Sequence, residues 1–330
     1  MEKVRWGVLG TANIAKNCTI PGMKMAENCH LAAIAGRNPD KARAFKEEFG
    51  FEKSYGSYDE LLNDDEVEAV YIPLPNGMHL QWVKAALEKK KHVLCEKPLA
   101  LNSADAAEMF RTAEENGVFL MEAYAYLHSS YVESLKNEIK GGIIGNPVFI
   151  RSSFITQGYS EDIRLHRDQG GGAMYDLGCY CTTMILSLTD SDPVFVKASS
   201  EFSDEGVDMM TSAVIRFENG IRASFDVGMI LGTDTDARYD SLYIYGEKGS
   251  IRSDVEYNQD GDVNYRIYTD NKVTEKKLTV KQNYCLETEQ LGRCILNGEK
   301  PLVSPEFSIR NSKLMDSIFA ETGYYDIRKK

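Results

Sequence analysis

The sequence lacks the features typical of secreted, membrane-spanning and zinc-binding proteins. It has no uninterrupted run of about 18 apolar residues, which predicts that no helix spans a membrane. A basic segment followed by an apolar stretch and a small-residue cleavage site is missing from the N-terminus, so we expect no signal peptide. The seven cysteines include no CxxC pair and no cluster with zinc spacing. Together these features predict a cytoplasmic protein with reduced thiols and no metal.

The sequence also lacks an excess of basic residues. Its 38 Lys and Arg against 50 Asp and Glu give a net charge of −12, which argues against nucleic acid or an anionic membrane as partner. The length of 330 residues, with 43% hydrophobic residues, predicts two globular domains.

Short apolar runs alternate with helical patterns over the first 120 residues. Strand, helix and strand at this rhythm predict an α/β domain with a doubly wound parallel sheet over residues 1–121. Helix starts are predicted at Asn38-Pro39, at the Ser57–Glu60 capping box and at Asn102, and Gly117 predicts a helix end.

A different pattern follows over residues 122–330. Alternating segments, with Asn219-Gly220 between two of them, predict an open, mainly antiparallel sheet in a second α/β domain. Helices are expected near residues 131–140, 173–188, 282–296 and 306–322.

A glycine-containing turn after the first predicted strand indicates a dinucleotide site. Gly10, Thr11, Ala12, Asn13 and Ile14 follow the GxGxxG/A pattern, except that alanine replaces the second glycine. A methyl group is tolerable at Ala12 if the backbone stays right-handed. An ordinary glycine turn is the alternative, but the position before the first helix favours phosphate binding.

The end of the second predicted strand discriminates between the two nicotinamide cofactors. NAD sites carry an Asp or Glu there, whereas this sequence has Gly36 and Arg37, with Lys41 one helical turn later. A guanidinium suits a 2′-phosphate, so NADP(H) is favoured and NAD(H) stays open. An exposed arginine in a polar turn is the alternative interpretation.

Two further motifs carry groups suited to acid/base chemistry. Glu96, Lys97 and Pro98 follow an apolar strand, at the strand end where ligands bind in doubly wound sheets. Three glycines precede a predicted helix with Asp176 and Tyr180 at a spacing of four, which places both on one face. The alternative for Lys97 is a solvated lysine in a loop, and the alternative for Tyr180 is an aromatic residue of the core.

These motifs, in their order along the chain, resemble the Gfo/Idh/MocA family of NAD(P)-dependent oxidoreductases. The similarity rests on "GVLGTANIA", "IPLPNGMH", "CEKP" and "GGGAMYDLGCYC", and is strongest to the dihydrodiol dehydrogenase and glucose–fructose oxidoreductase branch. The resemblance implies a Rossmann domain and an open-sheet domain that forms a homodimer or higher oligomer. It implies that Lys97 and Tyr180 lie beside the nicotinamide, with Asp176 close by. Glu96 would face the same crevice, and the residues lining it would be Pro75, Asn76 and His79.

The resemblance also implies hydride transfer between nicotinamide and a sugar, polyol or cyclic diol or ketone. Tyr180 is expected to act as general acid/base, and a cationic Lys97 would lower the pKa of its phenol. Asp176 would orient Lys97 or a substrate hydroxyl. For His79, a purely structural role is the alternative to lining the cofactor crevice. Arg164 is expected either to contact the substrate or to lie solvated at the surface.

Two other functions are compatible with the family. One is an NAD-dependent glycosidase that recycles its cofactor, and the other is a sugar-sensing regulator without turnover. The presence of both Lys97 and Tyr180 favours the oxidoreductase.

Overall fold

The computed structural model describes residues 2–326 and divides the chain into two compact units. The first unit comprises the chain up to His128 together with Gln282–Ile309. The second comprises Ser129–Lys281 and the chain from Arg310 onward. The sequence-based boundary at residues 121/122 therefore differs from this division chiefly because a later segment returns to the first unit.

Six parallel strands form the sheet of the first unit, in the order β3-β2-β1-β4-β5-β6. This order is that of the Rossmann fold, whose switch point lies between β1 and β4. The strands are β1 (Val4–Leu9), β2 (Cys29–Ala35), β3 (Lys53–Tyr55), β4 (Ala69–Ile72), β5 (His92–Glu96) and β6 (Leu120–Ala123). Five were expected from their apolar runs. The three-residue β3 is only partly buried and has no such run.

The helices begin and end where the local chemistry predicts. Asn38 accepts hydrogen bonds from two backbone N–H groups, Ser57 and Glu60 form both bonds of a capping box, and Asn102 caps the helix that ends at Gly117. The helices are α1 (Ile20–Met25), α2 (Pro39–Phe49), α3 (Tyr58–Leu62), α4 (His79–Glu88), α5 (Ser103–Asn116), α6 (Ser130–Lys140), α7 (Cys179–Thr189), α8 (Asn283–Asn297) and α9 (Pro305–Thr322).

Among residues 2–326, no helix combines the length and the apolarity needed to cross a membrane.

Helix α8 returns to the first unit because two glycines allow close packing. A Cβ atom on Gly22 of α1 would lie 2.7 Å from the backbone nitrogen of Cys285. A Cβ atom on Gly292 would lie 2.4 Å from the amide nitrogen of Asn28. Both distances are too short for any side chain, so these positions require glycine.

The second unit contains an eight-stranded sheet in the order β14-β13-β12-β11-β7-β10-β9-β8. Only the β7–β10 pair is parallel among these strands of the described chain, and Asn219-Gly220 joins β9 to β10 as predicted. The strands are β7 (Pro147–Gly158), β8 (Pro193–Phe202), β9 (Asp208–Phe217), β10 (Arg222–Thr233), β11 (Arg238–Gly246), β12 (Gly249–Ser253), β13 (Gly261–Thr269) and β14 (Lys272–Val280). The expectation of an open, mainly antiparallel sheet is confirmed.

Candidate active site

The turn after β1 has the geometry of a phosphate-binding turn. Gly10 has φ +128°, a value that L side chains rarely adopt, and its N–H donates to the carbonyl oxygen of Ala35 at 2.8 Å. Ala12 is not among the described residues with positive φ, so its methyl group is tolerated without strain. Helical backbone begins at Asn13 and includes a π-helical segment, Ala15–Thr19. Thr11, Ala12 and Ile14 are partly exposed and Asn13 is exposed, so this segment lies at the surface, and the first N–H groups of a helix are suited to bind phosphate.

The end of β2 presents basic side chains. Gly36 is buried, and a Cβ atom there would lie 3.3 Å from the methyl group of Thr11. Arg37 and Lys41 are exposed. Burial raises the pKa of Tyr58, and the neighbouring Arg37 partly offsets this, so the guanidinium lies beside that phenol. The nearest carboxylate along the chain, Asp40, is paired with Arg43.

The Glu-Lys-Pro turn ends β5 at the same edge of the sheet. Glu96 is 9% exposed and accepts a hydrogen bond from the phenol of Tyr71 at 2.6 Å, while Thr19 donates to the Tyr71 oxygen at 2.8 Å. The backbone N–H of Lys97 donates to the other Glu96 oxygen at 3.3 Å. The Lys97–Pro98 peptide bond is cis, and the lysine side chain is half-buried. The carboxylate therefore holds the backbone that presents Lys97.

Two buried carboxyl groups accompany this turn. Glu122 accepts the backbone N–H of Leu99 at 2.8 Å, and burial raises its pKa to about 7. Glu287 on α8 is 0% exposed, and burial together with the charge of Glu96 raises its pKa well above the ordinary value. Both effects favour the protonated form of Glu287. Neither carboxyl group belongs to a motif that the sequence analysis identified.

His79 fixes two loops of the first unit. It is 0% exposed, with Nδ1 2.9 Å from the carbonyl oxygen of Pro98 and Nε2 2.8 Å from that of Leu74. Burial lowers the pKa of the imidazole, and the carbonyl oxygens that face its two nitrogens partly offset this. His79 is thus tied to the backbone of both loops, whereas Pro75 and Asn76 are partly exposed at the end of β4.

Tyr180 lies on α7 in the second unit and is 9% exposed. Its phenol oxygen accepts a hydrogen bond from Nδ2 of Asn258 at 3.2 Å. The rings of Phe154 and Tyr257 lie with their centroids 5.5 Å and 5.1 Å from its own. The guanidinium of Arg238 lies over Phe154 at 4.5 Å and interacts electrostatically with the phenol of Tyr180. An aromatic enclosure of this kind strengthens such interactions because it excludes water.

Asp176 and Arg164 form an ion pair in the same unit. Arg164 Nε lies 2.6 Å from Asp176 Oδ2, and the charge of Asp176 raises the pKa of the guanidinium. Asp162 accepts from Arg164 Nη1 at 3.0 Å. Arg164 is therefore not an unpaired surface arginine. Its partner Asp176 is the carboxylate that was expected from the sequence to orient Lys97 or a substrate hydroxyl.

Backbone constraints explain the three glycines ahead of Asp176. A Cβ atom on Gly171 would lie 2.4 Å from the carbonyl oxygen of Arg164. Gly172 has φ +118°, and a Cβ atom there would lie 2.3 Å from Oδ1 of Asp208. The other oxygen of Asp208 accepts the backbone N–H of Met174 at 2.8 Å. The helical segment that follows is π-helical over Met174–Gly178 before α7 begins, a feature frequent at functional sites.

Asp208 provides a prediction about stability. Burial raises its pKa to about 7, above the value of about 3.9 expected in the unfolded chain. Its contribution to stability is therefore complete below about pH 4 and is lost as the pH rises through about 7. Asp208→Asn, which keeps an acceptor for Met174, should weaken the decline in the free energy of unfolding between about pH 4 and 7. Urea titrations at several pH values measure this, and an unchanged pH dependence would contradict it.

The residues at the edge of the first sheet fit a nicotinamide dinucleotide. The glycine turn and helical N–H groups suit the pyrophosphate, and Arg37 with Lys41 suits a 2′-phosphate. Lys97, at the end of β5, lies at the sheet edge where doubly wound folds bind ligands. Within the described residues, no group of three or more His, Cys, Asp or Glu could hold a metal ion.

The fold and this edge define a nicotinamide-dinucleotide-binding protein of the Rossmann class with a second, open-sheet unit. Residues 4–124 match the model of the Gfo/Idh/MocA oxidoreductase family, NAD-binding Rossmann fold. Residues 132–252 match that of the Gfo/Idh/MocA C-terminal domain. The chain belongs to the Gfo/Idh/MocA family of oxidoreductases.

Relatives within the family are similar over nearly the whole chain. D-xylose 1-dehydrogenase (NADP(+)) 2 of Haloferax volcanii is 34% identical over 96% of this chain and 98% of its own. Trans-1,2-dihydrobenzene-1,2-diol dehydrogenase of Xenopus tropicalis is 29% identical over 96% of both chains.

A solved structure with the same fold is the 3-ketoreductase KijD10 of Actinomadura kijaniata, in complex with NADP and TDP-benzene. Its TM-score is 0.92 at 28% identity, covering 97% of this chain and 98% of that chain. Other structures of KijD10 carry substitutions of a tyrosine by phenylalanine and of a lysine by alanine or glutamate.

Proposed function

We propose that the protein is an NADP(H)-dependent oxidoreductase that transfers hydride between nicotinamide and a hydroxyl or carbonyl group of a sugar, polyol or cyclic diol. The observation that carries the proposal is the Glu-Lys-Pro turn, which presents Lys97 at the carboxyl edge of the dinucleotide-binding sheet. Relatives named as NADP-dependent sugar dehydrogenase and diol dehydrogenase support the substrate class.

NADP(H), when bound, supplies or accepts the hydride. In the reducing direction Tyr180 donates the phenol proton to the oxygen of the carbonyl group that is reduced, and solvent then restores that proton. In the oxidising direction the phenolate of Tyr180 accepts the proton of the substrate hydroxyl. The ammonium group of Lys97 stabilises the negative charge on the reacting oxygen or on the phenolate. Arg164 holds Asp176 for a substrate hydroxyl.

The substrate class is tested by following NADPH absorbance with the purified protein. D-xylose, a trans-dihydrodiol and a keto sugar cover the chemistries of the named relatives. We expect stoichiometric NADPH formation with at least one hydroxylated substrate, or NADPH consumption with the ketone. Cleavage of an aryl glycoside without net NADPH would identify the glycosidase instead, and binding without turnover would identify the regulator.

Arg37→Ala should weaken NADPH binding by about 1–3 kcal/mol, as expected when a charged hydrogen-bond donor to phosphate is removed. Binding of NADH, which has no 2′-phosphate, should hardly change. Fluorescence titration of both cofactors measures this, with Arg43→Ala on α2 as the matched control because Arg43 is exposed and paired with Asp40. Equal affinity of the wild type for NADH and NADPH would contradict the assignment.

We further propose a homodimer through the open face of the eight-stranded sheet. Large apolar side chains lie exposed on this face, including Phe195 at 43%, Val214 at 50% and Tyr239 at 49%. Monomeric proteins rarely leave extended apolar patches exposed. Light scattering at micromolar concentration should give twice the mass of the chain, and Val214→Lys should shift it towards the monomer. A monomeric wild type would rule out this arrangement.

A further inference from the structure

We propose that Asn258 is a positioning residue for the acid/base group: its side-chain amide stabilises the phenolate of Tyr180, while Arg238 and Asp240 hold the Asn258 loop in place. The inference rests on the proposed role of Tyr180 in hydride-transfer chemistry. Asn258 would then help to set the pH at which Tyr180 ionises and hence the pH at which that chemistry operates.

The contact between the two side chains has a fixed polarity. Nδ2 of Asn258 lies 3.2 Å from the phenol oxygen of Tyr180. An amide nitrogen donates hydrogen bonds and does not accept them, so the phenol oxygen is the acceptor. A donated hydrogen bond is stronger to a phenolate than to a phenol. The contact therefore favours loss of the phenol proton.

The loop that carries Asn258 is clamped on its backbone. Arg238 binds Asp240 through two hydrogen bonds of 2.8 Å and 2.7 Å, and Asp240 is 5% exposed. Asp240 accepts the backbone N–H of Tyr257 at 2.8 Å, and Arg238 donates to the carbonyl oxygen of Tyr257 at 2.9 Å. The Arg238–Asp240 ion pair thus binds both the backbone N–H and the carbonyl oxygen of Tyr257, the residue before Asn258.

The conformation of Asn258 agrees with a placed side chain. Its φ is +63°, in the left-handed region where asparagine is tolerated better than most residues. The Tyr257 hydroxyl lies 2.8 Å from the hydroxyl of Ser152 on β7, which anchors the same loop on the sheet. The loop therefore has little freedom to withdraw the amide from Tyr180.

Two ion pairs lie around Tyr180 within the second unit. Arg238 and Asp240 on β11 form one pair, and Asp176, on the helical segment of Tyr180, is paired with Arg164. Further titratable groups on these elements include Asp254, Glu256, Tyr257 and Asp260 of the loop, Cys179 and Cys181 of α7, Arg151 of β7, and Tyr239 and Tyr243 of β11. The hydrogen bond from Asn258 acts directly on the phenol oxygen, in addition to these charges and to the role proposed for Lys97.

Two substitutions distinguish the effect of the Asn258 side-chain donor from the effect of the loop backbone. Asn258→Gly removes the amide, while glycine readily adopts the positive φ, so the loop should keep its path. Asn258→Asp keeps the size and places a carboxylate against the phenol. Asn271→Gly is the matched control, because Asn271 also has positive φ, 61°, and lies exposed in the turn between β13 and β14.

The first readout is the pH at which Tyr180 ionises, measured without substrate. The tyrosinate absorbance of each protein is compared with that of the same protein carrying Tyr180→Phe, which isolates one phenol among the 18 tyrosines. We expect Asn258→Gly to raise this pH by about one unit, the equivalent of one hydrogen bond to a charged group. Asn258→Asp should raise it further, and Asn271→Gly should leave it unchanged.

The second readout is the pH profile of kcat/KM in the oxidising direction, which should move by the same amount. Identical ionisation of Tyr180 in wild type and Asn258→Gly would overturn the inference, as would a lower ionisation pH in Asn258→Asp. Should Asn258→Gly fail to fold, by circular dichroism, the Asn258→Asp comparison decides alone. Absence of turnover in the wild type would contradict the proposed function, while the ionisation measurement would still decide the role of Asn258.

Discussion

Lys97→Met is expected to lower turnover by about 10²- to 10⁴-fold, the usual contribution of a group that assists acid/base chemistry. The ammonium group stabilises negative charge on the reacting oxygen, and methionine keeps an unbranched chain of similar length without the charge. Because Glu96 binds the backbone N–H of residue 97, and this hydrogen bond does not depend on the side chain, the turn should keep its geometry. Affinity for NADPH should therefore change little.

The measurement is kcat at saturating NADPH and substrate, beside a titration of NADPH affinity. Lys84→Met is the matched control, since Lys84 is also a partly buried lysine of the first unit but is paired with Glu108 on α5. Turnover of Lys97→Met within a few-fold of the wild type would show that Lys97 is a solvated turn residue.

Tyr180→Phe is expected to produce a loss of about the same size, 10²- to 10⁴-fold, because phenylalanine cannot donate or accept the substrate proton. The ring contacts with Phe154 and Tyr257 would remain, so the aromatic enclosure should stay intact. The pH dependence of the residual activity should lose the ionisation that belongs to the phenol.

Tyr175→Phe is the control for this substitution. Tyr175 lies on the π-helical segment before α7 and packs against Phe319 at 4.6 Å between ring centroids. Its replacement removes a hydroxyl from the same helical run without touching the proposed acid/base group. An unchanged kcat in Tyr180→Phe would assign proton transfer to another residue.

The sequence predicted the starts of three helices because these depend on local chemistry. Asn38, Ser57 and Asn102 each cap a helix with their own side chains, and a cap needs only neighbouring residues. The Asn219-Gly220 hairpin and the Glu-Lys-Pro turn at the end of β5 are equally local. Here the pattern of a few residues determines the backbone.

Features that depend on distant parts of the chain could not be predicted in this way. Asn258 contacts Tyr180 across 78 positions of sequence, and nothing in the loop "VEYNQDG" indicates that partner. Glu287 looks like an ordinary polar position of an amphipathic helix, but α8 packs into the first unit and buries it. The π-helical segment before α7 has no pattern that separates it from an α-helix.

The double variant tests whether Lys97 and Tyr180 act as a unit. If they do, it should lose far less activity than the product of the two single losses, because groups that act together are non-additive. A loss equal to that product would indicate independent contributions.

The most direct test of the proposed activity is the stoichiometry of NADP(H) conversion with the substrate found in the screen. We predict one NADPH formed for each hydroxyl oxidised by the wild type, and conversion slower by about 10²- to 10⁴-fold in the double variant, although both proteins bind NADPH. Substrate conversion without net NADP(H) change in the wild type, or equal conversion by the double variant, would contradict the account.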